Sequence, residues 1–119
     1  MDIFCKIVDG EIQSKCLYED DKLMVILDVN PSSNGHSLVI PKKHYKDLFD
    51  IEEDILNHIM KIAKDIAIKL EEKLGCEGIT LIQNNGISQD VKHFHLHLVP
   101  KYNNSKKMDI EEVFHKIVD

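Results

Sequence analysis

Three features common in membrane-bound or secreted proteins are missing from this sequence. No apolar run approaches the roughly 20 residues that a membrane-spanning helix needs. The opening residues, MDIFCKIVDGEI, alternate charged with apolar side chains, which a signal peptide does not do. The three cysteines, Cys5, Cys16 and Cys76, are an odd number with irregular spacing, so they predict reduced thiols rather than a disulfide framework. We therefore expect a cytoplasmic protein that does not associate with membranes.

The chain also lacks an excess of positive charge. Its formal net charge is −6, whereas proteins that bind nucleic-acid backbones or anionic membranes present a basic face. This balance excludes a general affinity for nucleic acid, but it allows a small phosphorylated ligand in a local pocket. With 119 residues, 43% of them apolar and 30% charged, the chain suits a single soluble domain over residues 1–119.

Apolar spacing along the chain predicts an ordered series of helices and strands. A short helix is predicted at the N-terminus, ended by Gly10, and another is predicted over residues 109–119. Residues 16–31 hold two apolar runs around the charged EDDK and predict a β-hairpin. Further strands are predicted in HSLVIPKKH, GITLIQNNG and KHFHLHLVPKY. Because the strands come in adjacent pairs, this order favours an α+β fold with a mainly antiparallel sheet.

The long central helix is the clearest element in the sequence. Asp50 is predicted to cap its N-terminus, with Glu53 completing a capping-box pattern. Gly75 provides a C-terminal stop. One apolar stripe at helical spacing consists of Ile55, Ile59, Ile62, Ile66 and Leu70. We expect this stripe to belong to the core and assign it no function.

Three histidines recur at every second position in the segment VKHFHLHLVPKY. Successive side chains of a strand point to opposite faces, so His93, His95 and His97 are predicted to share one face, about 6.5–7 Å apart. A solvated strand face accounts well for one histidine, but it accounts poorly for three in register. The row then has one of two chemical roles: the imidazoles bind Zn²⁺, or one of them is a nucleophile or base while its neighbours bind an anion.

The rest of the sequence favours the anion over hydrolytic zinc. A His-Glu-x-x-His pattern, which would supply zinc ligands together with a base, is absent. Amide side chains precede a glycine in QNNG at 83–86, and His36 lies on a strand that can run beside the histidine row. Neutral donors of this kind suit a phosphate group.

These residues resemble a known family. HFHLHLV is similar to the signature of the histidine triad nucleotide-binding proteins. Three more segments resemble the family's N-terminal, ribose-binding and asparagine segments, in the same order: IFCKIVDGEI, YEDDKLMVILDVNPSSNGHSLVIPKKHY and LIQNNG. The resemblance covers roughly residues 2 to 102. It implies an α+β fold with a five-stranded antiparallel sheet, one long helix and short terminal helices, and usually a homodimer whose sheets join.

The resemblance implies a nucleotide hydrolase or transferase. Typical substrates are nucleoside 5′-phosphoramidates, acyl-nucleotides and dinucleoside polyphosphates. His95 would attack the α-phosphorus and form a nucleotidyl-histidine that water hydrolyses to a nucleoside monophosphate. Catalysis would need no metal, because a neutral imidazole is a good nucleophile near pH 7. His97 and His36 would contact the phosphate oxygens, Asn84 would donate to the phosphate region, and Asp28 would accept from the ribose hydroxyls.

The same resemblance implies an apolar base pocket lined by Val29, Leu38, Phe4 and Ile7. Such a slot contacts the base mainly by packing, so we expect purines to be accepted with little discrimination.

One departure from the family pattern lies just upstream of the triad. Many relatives have Gly-Gln-Ser or Gly-Gln-Thr there, with the hydroxyl toward the phosphate, whereas this chain has Ser88, Gln89 and Asp90. Gln89 and Ser88 remain candidate substrate-binding residues. An ionised Asp90 cannot donate and would repel a phosphate, so it turns away, binds a cationic leaving group or indicates another substrate.

A second departure concerns zinc. Many bacterial relatives bind a structural Zn²⁺ through two N-terminal cysteines, the histidine of KKH and the first triad histidine. This chain keeps Cys5, His44 and His93, with Asp2 in place of the first cysteine. Asp can ligate zinc, but a ligand so close to the terminus must order a fraying segment. His93 therefore either supports the catalytic site or binds zinc.

Two alternative functions stay open. One is a nucleotide-binding module with weak catalysis, and Asp90 favours it because its carboxylate replaces the usual hydroxyl. The second is a metalloprotein in which the triad itself supplies the ligands.

Overall fold

A computed structural model describes residues 2–119 and contains a five-stranded antiparallel sheet flanked by helices. The strands are β1 (Cys16–Glu19), β2 (Leu23–Leu27), β3 (Ser37–Pro41), β4 (Gly78–Ile82) and β5 (Leu96–Lys101), and their order across the sheet is β1-β2-β3-β5-β4. The helices are α1 (Ile3–Val8), α2 (Glu53–Leu74) and α3 (Ile110–Val118), with a 3₁₀ turn at Gly86–Ser88. The predicted α+β architecture is confirmed. Within the described residues, no helix combines the length and apolar character needed to span a membrane.

The two faces of the sheet carry different helices. On one face, Val25, Val39, Phe94 and Leu98 belong to the main core with the apolar stripe of α2. On the other face, a second cluster joins α1 to β2 and β3. Its buried members are Phe4, Ile7, Met24, Ile26, Leu38 and Ile40. Because β2 and β3 are buried on both faces, the sheet separates the two clusters.

The ends of α2 confirm one prediction and correct another. Gly75 ends the helix in the left-handed conformation, at φ 68°, which a residue without a Cβ adopts at no steric cost. The predicted cap at Asp50 is wrong, because Glu52 occupies the N-cap position. The Asp50 carboxylate instead accepts from the backbone N–H groups of Lys46 and Asp47. It closes a turn before the helix begins.

The histidine segment is less regular than predicted. β5 begins at Leu96, so among the three histidines only His97 lies within the hydrogen-bonded strand. The register that pairs Val39 with Leu96 brings Pro41 opposite Phe94, and proline has no N–H to continue the ladder. The Phe94 N–H donates instead to the Tyr45 carbonyl at 2.7 Å. Side-chain alternation survives, because Phe94 stays in the main core while both His93 and His95 contact the Phe4 ring on the α1 side.

The segment after β5 is held against the body of the same chain. Asn34 donates to the Lys106 carbonyl and accepts from the Met108 N–H, and the Tyr102 hydroxyl donates to the Asn34 carbonyl. Helix α3 then packs on α2 and β1. The segment after β5 therefore packs against the rest of the same chain.

Candidate active site

A cleft of about 300 Å³ opens between α1 and the face of the sheet that carries the histidines. Most of its wall is apolar. Two of its carboxylates lie close to the histidines, because Asp90 contacts His95 and Asp28 lies beside the His36 that bonds to His97. All four residues predicted to line a base pocket belong to the wall, namely Phe4, Ile7, Val29 and Leu38. The predicted ribose partner Asp28 also lines the cleft, as does Asp90. A slot with one apolar and one polar end suits a ligand with a flat apolar part joined to a charged part.

The hydrogen bonds of His95 define which ring nitrogen is free. Its Nδ1 lies 2.8 Å from the His93 carbonyl oxygen. A carbonyl can only accept, so Nδ1 carries the hydrogen and Nε2 keeps its lone pair. The side chain is 3% exposed, and the edge of the Phe4 ring packs against it. In its neutral form the imidazole therefore presents the Nε2 lone pair to the cleft, where the nearest carboxylate oxygen is Asp90 Oδ1 at 3.6 Å.

A second hydrogen-bond chain orients His36 and His97. The Ser32 backbone N–H donates to His36 Nδ1 at 3.0 Å, so His36 Nε2 carries the hydrogen. His36 Nε2 then donates to His97 Nδ1 at 2.9 Å, and His97 Nε2 carries the remaining hydrogen. Burial is the main cause that lowers the pKa of both imidazoles, against the opposing charge of Asp28, whose carboxylate lies 3.6 Å from His36 Nε2. Both rings are thus neutral near pH 7, and His97 is a hydrogen-bond donor at the cleft.

His93 is fully buried and faces a different set of groups. Its Nε2 donates to the Pro41 carbonyl at 2.9 Å, so Nδ1 is left as an acceptor. That Nδ1 lies 3.2 Å from Asp2 Oδ2 and 3.5 Å from Cys5 Sγ. His44 Nδ1 lies 3.0 Å from Asp2 Oδ2 and 3.6 Å from Cys5 Sγ. We refer to these four residues, Asp2, Cys5, His44 and His93, as the α1 cluster.

The α1 cluster fits a tetrahedral metal ion. In a neutral His93 ring, Nδ1 has a lone pair that faces the Asp2 carboxylate, so two hydrogen-bond acceptors are in contact. A cation between these two atoms would satisfy both. Zinc bonds of about 2.0–2.3 Å give edges of about 3.3–3.6 Å in a tetrahedron of N, O and S ligands, and the four distances above run from 3.0 to 3.6 Å. Burial opposes ionisation of Asp2, but the hydrogen bond from the Cys5 backbone N–H keeps the pKa of its carboxyl below the usual value.

A second group, formed by Asp28, His36 and His97, also brings three ligand atoms together. It fits a metal less well, because His36 and His97 already bond to each other through the nitrogens that face one another. His95 belongs to neither group.

Three predicted substrate-binding residues are absent from the cleft wall described for residues 2–119. Ser88 Oγ donates to the Asn85 carbonyl, and Gln89 Nε2 donates to the Lys46 carbonyl at 2.6 Å. Asn84 follows β4 and accepts from the Gln83 side chain through its backbone carbonyl. The proposed contacts of Asn84, Ser88 and Gln89 with a substrate therefore stay predictions.

Sequence reasoning missed several parts of the site. Gln13, Ser14 and Val91 line the cleft, but nothing in their local pattern marks them, since the chain brings them there only after folding. The backbone groups of Ser32 and Pro41 that select histidine tautomers are also invisible in the sequence, because every residue has a carbonyl and nearly every one has an N–H. Ile3 also lines the cleft. It could have been predicted, since it adjoins the predicted Phe4 and lies in the same helix.

Comparisons with known proteins agree with this geometry. The sequence model of the HIT domain family matches residues 9–104 of this chain. An uncharacterized HIT-like protein of Methanocaldococcus jannaschii is 38% identical, and the match covers 98% of each chain. The adenylylsulfatase HINT3 of Arabidopsis thaliana is 38% identical over 83% of this chain and 51% of its own length. The crystal structure of a Zn-bound histidine triad family protein from Mycobacterium smegmatis superposes with a TM-score of 0.89 at 35% identity, covering 97% of this chain and 88% of that one. The chain therefore belongs to the HIT family, the family of histidine triad nucleotide-binding proteins.

Proposed function

We propose that this protein hydrolyses nucleoside 5′-phosphoramidates or closely related nucleotidyl substrates through a covalent intermediate on His95. The observation that carries this proposal is the hydrogen bond from His95 Nδ1 to the His93 carbonyl, which directs the Nε2 of the neutral ring into a cleft with a mostly apolar wall. The name of the Arabidopsis relative, an adenylylsulfatase, supports hydrolysis at an adenylyl group. A binding module would not need a ring nitrogen held free in this way.

In the first step, His95 Nε2 would form a bond to the α-phosphorus as the phosphorus–nitrogen bond of the substrate breaks. The departing amine keeps the bonding electron pair and takes a proton from water. The Nδ1–H of His95 remains on the His93 carbonyl, which stabilises the positive charge that develops on the ring. In the second step, a water oxygen would bond to phosphorus, the pair of the N–P bond would return to Nε2, and one water proton would be released. The products are a nucleoside monophosphate and an amine.

The remaining cleft groups would bind the substrate. The apolar wall, including Phe4 and Leu38, would pack on the base, and Asp28 would accept from the ribose hydroxyls. The chain contains no arginine, so an arginine clamp on the phosphate is excluded. The neutral Nε2–H of His97, held by His36, would donate to a phosphate oxygen. We expect purine nucleotides to be accepted with little discrimination, because packing surfaces offer few hydrogen bonds to a base.

The test is the release of AMP from an adenosine 5′-phosphoramidate by the purified protein. The wild type should release AMP, and mass spectrometry of quenched reactions should detect protein carrying one adenylyl group. His95→Asn should show neither product. His115→Asn is a matched control, because His115 lies on the exposed side of α3, and it should retain full activity. No AMP from the wild type, or equal turnover by His95→Asn, would contradict the catalytic proposal and favour a binding module.

A metal-dependent mechanism through the triad is the weaker alternative. Within residues 2–119, two groups of side chains could hold a metal ion. One contains His93 and the other contains His97, whereas His95 belongs to neither. We propose that catalysis needs no metal, so activity should survive exhaustive chelation after correction for any loss of folded protein.

We also propose that the α1 cluster holds a structural Zn²⁺. The Zn-bound relative from Mycobacterium smegmatis supports this assignment, and the donor set of one carboxylate, one thiol and two imidazoles is of a kind that zinc prefers. Zinc would join the terminal segment at Asp2 and Cys5 to the loop at His44 and the triad at His93. Its role would be to hold α1, which carries one wall of the cleft.

We propose a homodimer that forms at the free edge of β4. β4 is an edge strand, and its apolar residues Leu81 and Ile82 are exposed. An exposed apolar edge is a typical site of strand pairing with a second copy. Light scattering should give twice the mass of the chain, and Ile82→Lys should reduce it to one. Ile68→Lys, at an exposed apolar position on α2, is the control that should leave the mass unchanged.

We place this activity in the cytoplasm, with the whole chain, residues 1–119, as a single domain that needs neither nucleic acid nor a membrane.

A further inference from the structure

Asp90 lies beside the proposed nucleophile, and none of the proposed steps uses it. Its Oδ1 is 3.6 Å from His95 Nε2, and it lines the same cleft. The Asp90 side chain is 80% exposed, whereas that of His95 is 3% exposed. The carboxylate therefore lies at the mouth of the cleft, where the nucleophile meets solvent.

The backbone on both sides of Asp90 is held by the fold. Gln89 is buried, and its side chain donates to the Lys46 carbonyl. Val91 packs against the apolar cluster formed by α1 and the sheet, and its N–H donates to Asp90 Oδ1 at 2.9 Å. These contacts hold the Asp90 backbone beside the cleft.

The charge of Asp90 is not neutralised by a lysine. Across residues 2–119, the only basic side chain in an ion-pair contact with its carboxylate is that of His95. Lys92 is close in sequence, but its ammonium donates to the Gly86 carbonyl. No lysine is among the residues that line the cleft, and the chain contains no arginine. The mouth of the cleft therefore carries a net negative field.

We propose that Asp90 selects substrates by the charge of the leaving group, favouring cationic amines and disfavouring anionic groups. This inference rests on the proposed function. With the base in the apolar part of the cleft and the α-phosphorus at His95 Nε2, the group on the far side of the phosphorus leaves through the mouth beside Asp90. The departing nitrogen takes one proton and leaves as a neutral amine, so the selection acts on charges elsewhere in the leaving group. The Asp90 carboxylate attracts a cationic substituent there, whereas it repels phosphate, sulfate or carboxylate groups.

The size of the effect follows from the exposure of Asp90. Because water screens an exposed carboxylate, one unit of charge on the leaving group should change kcat/KM by about fivefold, which corresponds to about 1 kcal/mol. Salt should reduce the effect further, since the Debye length is only about 3 Å at 1 M ionic strength. A residue that merely supports the fold would show neither dependence.

The test uses three adenosine 5′-phosphoramidates, made from 1,3-diaminopropane, propylamine and β-alanine, whose distal groups are cationic, neutral and anionic. For the wild type, kcat/KM should fall in that order, by about fivefold from each compound to the next. Added potassium chloride should reduce these differences in kcat/KM. Asp90→Asn should bring the three values within about twofold of one another. Asp21→Asn removes the same charge at the exposed β1–β2 turn and should keep the wild-type ranking.

Binding measurements separate this inference from the proposed catalysis. Dissociation constants for the same compounds are measured by calorimetry on His95→Asn and on the double variant that also carries Asp90→Asn. If the wild type releases no AMP but His95→Asn binds the three compounds in the expected order, catalysis is refuted and charge selection by Asp90 stands. If the wild type turns the compounds over and Asp90→Asn keeps the full ranking, charge selection is refuted and catalysis stands. Equal binding of all three compounds by His95→Asn would also overturn charge selection.

Discussion

Zinc binding by the α1 cluster has a consequence for stability that can be calculated. The proposed ligands come from three segments, at residues 2–5, 44 and 93, which are far apart in the unfolded chain. An ion that binds only the folded protein stabilises it by mass action, because unfolding must release the ion. The perturbation is therefore the addition of zinc to metal-free protein, compared between the wild type and a variant that lacks one ligand.

The expected magnitude is large for a chain of this size. At a free zinc concentration about 1,000-fold above the dissociation constant, the free energy of unfolding rises by about 4.1 kcal/mol. A chain of 119 residues has an unfolding entropy of about 250 cal/mol/K near 60 °C. The ratio of the two gives an increase in Tm of about 16 °C, which is an upper value because unfolded cysteine and histidine side chains also bind some metal.

The assay is thermal unfolding followed by circular dichroism in zinc buffers of defined free concentration. Cys5→Ala removes the thiol from the cluster and should abolish most of the shift. Cys16→Ala is the matched control, because Cys16 lies on β1, outside the α1 cluster, and this variant should shift as the wild type does. Burial raises the pKa of the Cys5 thiol, with Asp2 adding to the effect, so zinc must displace a proton and the shift should grow with pH.

Two outcomes would contradict zinc binding by the α1 cluster. A wild-type shift below about 2 °C at saturating zinc would mean that the cluster does not bind zinc in the folded state. An equal shift in Cys5→Ala would place the ion elsewhere, for instance at Asp28, His36 and His97.

Three further predictions follow from the cleft and the fold. Leu38→Ala removes a buried wall residue; it should lower the free energy of unfolding in urea by about 2–5 kcal/mol and weaken AMP binding in calorimetry, whereas an unchanged affinity would place the base elsewhere. Burial lowers the pKa of His36 and His97, so the stability that they contribute as neutral groups is complete above about pH 6.5. This stability should be lost as the pH falls from about 6.5 through the lowered pKa values of the two imidazoles. The urea unfolding midpoint of the double variant His36→Gln/His97→Gln should therefore depend less on pH below about 6.5 than that of the wild type. Asp20 accepts from the Tyr18 hydroxyl and from two backbone N–H groups in the β1–β2 turn, so Asp20→Ala should cost about 1–3 kcal/mol in urea unfolding; a loss below about 0.5 kcal/mol would show that water replaces these bonds.

Local pattern predicted most of the fold because it encodes which face of each element is buried. The helical stripe of α2 and the αL glycine at its end were predicted correctly, and so were the hairpin of β1 and β2 and the short terminal helices. The N-terminus of α2 was predicted wrongly because an aspartate side chain can accept hydrogen bonds in a turn as well as cap a helix. Asp50 closes the preceding turn instead, a choice that depends on where Lys46 and Asp47 lie after folding.

Candidate site residues divide in the same way. The alternation of His93, His95 and His97 by itself indicated a shared face and a special chemistry, and the apolar residues of the cleft wall were predicted together with Asp28. The tertiary structure decided how each histidine is oriented, because the tautomer of a neutral ring depends on the group opposite each nitrogen. The carbonyls of His93 and Pro41 orient His95 and His93. The Ser32 N–H orients His36, which in turn bonds to His97. No side-chain pattern reveals these backbone atoms. Only the folded chain, by bringing segments up to 91 residues apart into contact, gives these three identical side chains the different surroundings from which we propose a nucleophile, a phosphate donor and a metal ligand.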